Sequence, residues 1–158
     1  MLNNKKIIRY LNHQKEPMKT KLFFLLFITS AFLSVVAQKK ETVNLIVEVS
    51  VTKHNQGSIL IALYDHKENY MKKSYKNAEV KVENGKAIIE FTNLEKREYA
   101  FSLFHDVNDN KKLDSNFLGI PKEPYGFSNN KKGSFGPPKF ESVKFSLTED
   151  KNIKLNIK

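Results

Sequence analysis

"TVNLIVEVSVT" (42–52) carries an apolar residue at every second position: Val43, Leu45, Val47, Val49 and Val51. Asn44, Glu48, Ser50 and Thr52 occupy most of the places between. A helix would scatter the five apolar residues around its axis; a strand puts them all on one face. Their β-branched bulk also suits a pleated, half-buried surface. The pattern recurs in "EYAFSLFHD" (98–106), where Tyr99, Phe101 and Leu103 oppose Ala100, Ser102 and Phe104, and in "KNIKLNIK" (151–158), with Ile153, Leu155 and Ile157. "SILIALYD" (58–65) is apolar on both faces, as a central strand is. "AEVKV" (78–82) and "KAIIEF" (86–91) flank Asn84-Gly85, the dipeptide of a type I′ hairpin turn. "FESVKFSL" (140–147) and the tight turn "TED" (148–150) lead into the last strand. "KENYMKKSYKN" (67–77) is short and uncapped, and is expected as loop.

Seven short strands at this spacing predict an all-β, two-sheet antiparallel β-sandwich of immunoglobulin- or transthyretin-like build, with a small closed barrel as the second possibility. Nothing alternates as strand and helix, which excludes the parallel nucleotide-binding folds. There are no cysteines, so no disulfide, thiolate zinc site or catalytic thiol is available.

Ahead of the strands, residues 1–37 read as an address. From Met18, Lys19 and Lys21 precede "LFFLLFITSAFLSVVA" (22–37), an uncharged apolar run. Val35 and Ala37 are small residues placed for cleavage before Gln38. The run is 16 residues long, short of the roughly 20 that span a bilayer. The expectation is a cleaved signal peptide starting at Met18, an exported single domain over 38–158, and no membrane span after cleavage. Periplasm, cell surface and secretion outside the cell all remain open as destinations. Half of the formal charge of +10 falls in residues 1–37. The other lysines are scattered rather than striped along one element, so no nucleic-acid partner is expected. A monomer is expected.

Two segments break the strand rhythm. In "HDVNDNKKLD" (105–114), Asp106, Asn108, Asn110 and Asp114 fit positions 1, 3, 5 and 9 of a calcium loop, with the Lys112 carbonyl at position 7. The sixth position, normally Gly, is Lys111, and the twelfth, normally Glu, is Phe117. Calcium would then need Glu123 as a further ligand. The same spacing also describes a hydrogen-bonded Asx-type turn, which the two departures favour. Residues 115–139 hold four of the six glycines and four of the five prolines, interleaved with Phe117, Leu118, Ile120, Tyr125, Phe127 and Phe135. Disordered segments are poor in aromatics, so an ordered lobe is expected. Its aromatics either plug the open end of the sandwich or line a binding surface.

His105 beside Asp106 is the one catalytic candidate, as in a hydrolase, but no Ser or Cys nucleophile motif accompanies it. A non-catalytic binding or accessory module is the favoured function, with Tyr125, Phe127, Asn129 and Asn130 as ligand contacts for a glycan or an extended peptide. A purely structural envelope component is the remaining alternative.

"GSILIALYD", "YAFSLFHD", "DVNDNKKLD" and "GIPKEPYGFSNN" occur here in that order. In this the chain resembles the exported bacterial family named domain of unknown function 2141. The family usually has Gly where Lys111 stands, and a Pro- and Gly-containing turn where this chain has "EKRE" (95–98). The resemblance implies export and a β-sandwich; it implies no activity and no ligand.

Overall fold

The computed structural model describes residues 40–133 and 136–158. The expected signal segment and Phe135 lie outside the described residues. Among the described residues eight strands form: β1 Thr42–Val51, β2 Ser58–Tyr64, β3 Lys76–Lys81, β4 Lys86–Glu95, β5 Arg97–Asp106, β6 Tyr125–Phe127, β7 Phe145–Leu147 and β8 Lys151–Ile157. They build two sheets. One has the order β4-β1-β8; the other has the order β3-β2-β5-β6, with β7 paired to β5 beyond β6. This is a sandwich-like all-β fold, as the alternation predicts.

The inward faces meet in one core. β1 supplies Val43, Leu45, Val47 and Val49, β2 supplies Ile59, Ile61 and Leu63, and β5 supplies Tyr99, Phe101 and Leu103. β4 adds Ile89, Phe91 and Leu94, where a two-residue alternation would bury Asn93. The ladder with β1 shifts register at that point and Asn93 takes φ 55°, so the extra residue bulges and Leu94 returns to the core. Burying a side chain of this size stabilises the fold by roughly 1.5–3 kcal/mol. Among the described residues every core residue lies between Val43 and Ile157, and Lys40–Lys158 is one compact unit with a core of its own. No helix among the described residues is long and apolar enough to cross a membrane.

Several expectations need correction. All pairings are antiparallel except that of β1 with β8, which is parallel. Asn84 and Gly85 do form the two-residue turn, at φ 50° and 72°, but the strands it joins diverge into different sheets. The "TED" turn likewise joins β7 to β8 across the sandwich. "FESVKFSL" is only half strand. Phe140–Val143 is one turn of helix, α1, which brings Phe140 and Val143 together against Ala100 and Phe127. Residues 67–77 are mostly turn, with a 3-10 turn at Lys67–Asn69, before β3 begins. Of the lobe's described aromatics only Phe127 is buried, so plugging does not describe this segment.

Candidate functional site

β5 ends at Asp106, 1% exposed, and the chain turns at once. Asp106 holds that turn from beneath. Its Oδ1 accepts the Asn110 N–H at 3.1 Å and its Oδ2 the Lys111 N–H at 2.7 Å. Asn108 Oδ1 accepts the Asn110 N–H at 3.1 Å, and Asn110 Oδ1 the Lys112 N–H at 2.8 Å. The amide nitrogens of the two asparagines donate to the Asp114 carboxylate at 2.9 and 3.2 Å. Glu123 closes the loop: Oε1 accepts the Val107 N–H at 2.9 Å and Oε2 the Asp114 N–H at 3.0 Å. A carboxylate withdrawn from water needs such donors.

Five of the six residues proposed as metal ligands therefore meet, and Lys112 joins through its N–H. What they build is a hydrogen-bonded turn with amide nitrogens, not oxygens, directed at Asp114. Among the described residues, no group of three or more His, Cys, Asp or Glu side chains is placed to hold a metal ion.

The loop is fastened to the neighbouring strands. Asp109 accepts from Ser58 Oγ at 2.8 Å and pairs with Lys81 at 2.5 Å, while Lys111 Nζ pairs with Glu79 at 3.0 Å. The hydrogen bonds from Lys81 and Ser58 hold the Asp109 carboxyl below its ordinary range, and Glu79 raises the Lys111 ammonium. Lys111 adopts φ 64°, the conformation that favours glycine. Gly57 is required at its own position: a Cβ there would sit 2.1 Å from the Asp106 carbonyl oxygen.

His105 and Asp106 do not form a dyad, because successive strand residues point to opposite faces. His105 is fully buried, and its Nε2–H donates to the Gln56 carbonyl at 2.7 Å. Among the described residues its Nδ1 has no partner.

A cleft of about 580 Å³ opens between β6 and the ends of β1 and β8. Tyr125, Phe127 and Asn130 line it, whereas Asn129 is directed elsewhere, donating to the Lys144 carbonyl at 2.8 Å. Gly126 lets β6 lie close over β8, since a Cβ there would fall 2.7 Å from Leu155. Around the rim stand Lys53, Lys122, Lys131, Lys132 and Lys158. Sequence reasoning missed this cluster. Its members come from four separate segments, and parallel pairing of Val51 with Ile157 is what brings Lys53 and Lys158 to one end of the sheet. Among the described residues none of the five forms an ion pair, although lysines 40, 67, 81, 96, 111, 144 and 154 all do. Glu123 is the one carboxylate side chain lining the cleft, and both its oxygens are bonded to backbone N–H groups.

The family model described as an uncharacterized protein conserved in bacteria, DUF2141, matches residues 47–156. The chain belongs to the DUF2141 family. The match runs from within β1 into β8 and takes in the acidic loop and all of the cleft's lining except Ile157 and Lys158. Neither the curated proteins nor the solved structures contain a match.

Proposed function

We propose that this DUF2141 protein is an exported, non-catalytic binding module of the bacterial envelope, and that its cleft takes an acidic extended ligand, a glycan or a peptide. The observation that carries this reading is the set of five lysines that line one concavity, none of them ion-paired among the described residues. A concave site in which one sign of charge predominates concentrates ligands of the other sign. Tyr125 and Asn130 both line the cleft, and Asn130 offers an amide for orientation. The acidic loop is the scaffold: Glu123 ties the segment leading into β6 to the end of β5. Export is supported by the signal-like sequence from Met18 to Ala37. The buried His105, held by Gln56, gives the hydrolase alternative no exposed base.

Calorimetric titration of residues 40–158 with polygalacturonate, polyglutamate and neutral dextran tests the cleft. Binding is expected to the acidic polymers and not to dextran. Lys131→Glu with Lys132→Glu should weaken it at least tenfold and change stability by no more than about 0.5 kcal/mol, as surface changes do. Equal affinity for dextran, or unchanged affinity in the double variant, would refute the reading.

A further inference from the structure

The most exposed large apolar side chains are not spread evenly. Phe117 is 95% exposed, Leu118 68% and Ile120 56%, and all three sit within one turn. Single exposed apolar residues, such as Ile88, are ordinary; three on one projection are not.

The turn is also stiff. The Asn116 N–H donates to the Ile120 carbonyl at 2.9 Å, and the Gly119 N–H to the Asn116 carbonyl at 2.9 Å. Asn116 Oδ1 accepts from both the Leu118 and the Ile120 N–H at 3.0 Å. Below these, Ser115 bridges Pro121 and the Lys122 N–H donates to the Asp114 carbonyl at 2.8 Å. The apolar side chains are therefore held out into water by a backbone that satisfies itself, and inserting them would order little that is not ordered already. Lys112 and Lys122 flank the turn in sequence, and neither forms an ion pair among the described residues, whereas Asp114 and Glu123 are occupied within the loop.

We propose that residues 115–121 form a finger that inserts Phe117, Leu118 and Ile120 into an anionic lipid surface while Lys112 and Lys122 rest among its phosphates. Charge complementarity selects this occupant over a second copy of the chain, whose own finger would bring the same lysines into opposition. Each large apolar side chain moved from water into the membrane interface strengthens partitioning about tenfold, and each lysine near an anionic surface about fivefold. The finger shares Lys122 with the lining of the cleft, but Phe117, Leu118 and Ile120 lie outside that lining, so substituting them tests the finger apart from the cleft's ligand.

The test is co-sedimentation of residues 40–158 with vesicles of mixed phosphatidylglycerol and phosphatidylcholine, and with phosphatidylcholine alone. Binding is expected to the mixed vesicles, weaker to the neutral ones, and falling with added salt. The double variant Phe117→Ser, Leu118→Ser should lose at least tenfold on the mixed vesicles with unchanged melting, because neither side chain is buried. Binding that survives in the double variant would overturn insertion, as would no binding to either vesicle. Sedimentation velocity showing a dimer that the double variant abolishes would also overturn it, making a second copy the occupant.

Discussion

The acidic loop and the basic cleft lie side by side and use charge in opposite ways. In the loop, Asp106 and Glu123 spend all four carboxylate oxygens on backbone N–H groups, and Asp114 receives two amides. In the cleft, five ammonium groups surround a cavity without an ion pair among the described residues. Charge satisfied internally is charge used for folding. Charge left unmatched on one concave surface contributes little to folding and stays available to a partner. The two regions should therefore respond to mutation in opposite ways, the loop through stability and the cleft through binding.

Asp106→Ala is the hardest test of the first half. It would leave the Lys111 N–H beside a buried position with no acceptor and the Asn110 N–H with Asn108 Oδ1 alone, and an N–H left unbonded costs roughly 1–3 kcal/mol. A destabilisation of about 2 kcal/mol is expected in denaturant unfolding, with Asp106→Asn losing about half as much because one acceptor remains. A cost below about 0.5 kcal/mol would mean that the loop is not structural.

Lys111 gives a finer measure. Substituting it by Gly or by Ala removes the Glu79 ion pair equally, so the difference between the two variants isolates the backbone at φ 64°. The Gly variant should be more stable than the Ala variant by about 1 kcal/mol. Equal stabilities would mean that the loop opens or rearranges.

The two regions also differ in how far the sequence discloses them. The β1 alternation identifies its buried face, and Asp106 through Asp114 stand out because the loop's partners are close in sequence. Phe140 and Val143 misled for a physical reason: an i, i+3 pair followed by Phe145 and Leu147 also reads as apolar residues along a strand. β6 was hidden because three residues, one of them glycine, make no period. The cleft was the least legible. Scattered lysines become a cluster only once β8 is known to lie parallel to β1, and side-chain patterns do not encode which strands pair.

Tyr70 is neither satisfied nor available, and pH separates it from both regions. Its hydroxyl is buried without a partner among the described residues, and burial raises its pKa from 10.0 to about 12; Tyr99 is raised likewise, again chiefly by burial. A folded-state pKa above the unfolded one means that the unfolded chain gives up its proton first. Stability should hold up to about pH 10 and fall from there to about pH 12. Tyr70→Phe should raise stability at neutral pH by about 1 kcal/mol, since an unbonded hydroxyl leaves the interior, and should make the alkaline fall shallower. A steeper fall in that variant would place the alkaline sensitivity elsewhere.

Calcium should have the smallest effect, and it bears most directly on the loop. The ion takes six to eight oxygen ligands, roughly. To supply them, Asn108 and Asn110 would have to turn their amide oxygens away from the N–H groups they now accept, and Lys111 and Lys112 would stay close to the ion. Those hydrogen bonds would have to break before the oxygens could reach an ion. Melting of residues 40–158 in EDTA and in millimolar calcium should therefore agree to about a degree. A ligand that binds only the folded state must raise the melting temperature. A rise of several degrees, lost in Asp106→Ala and in Asp114→Ala, would mean that the same atoms exchange their backbone partners for a cation, and that the contrast between satisfied loop and open cleft depends on the calcium concentration.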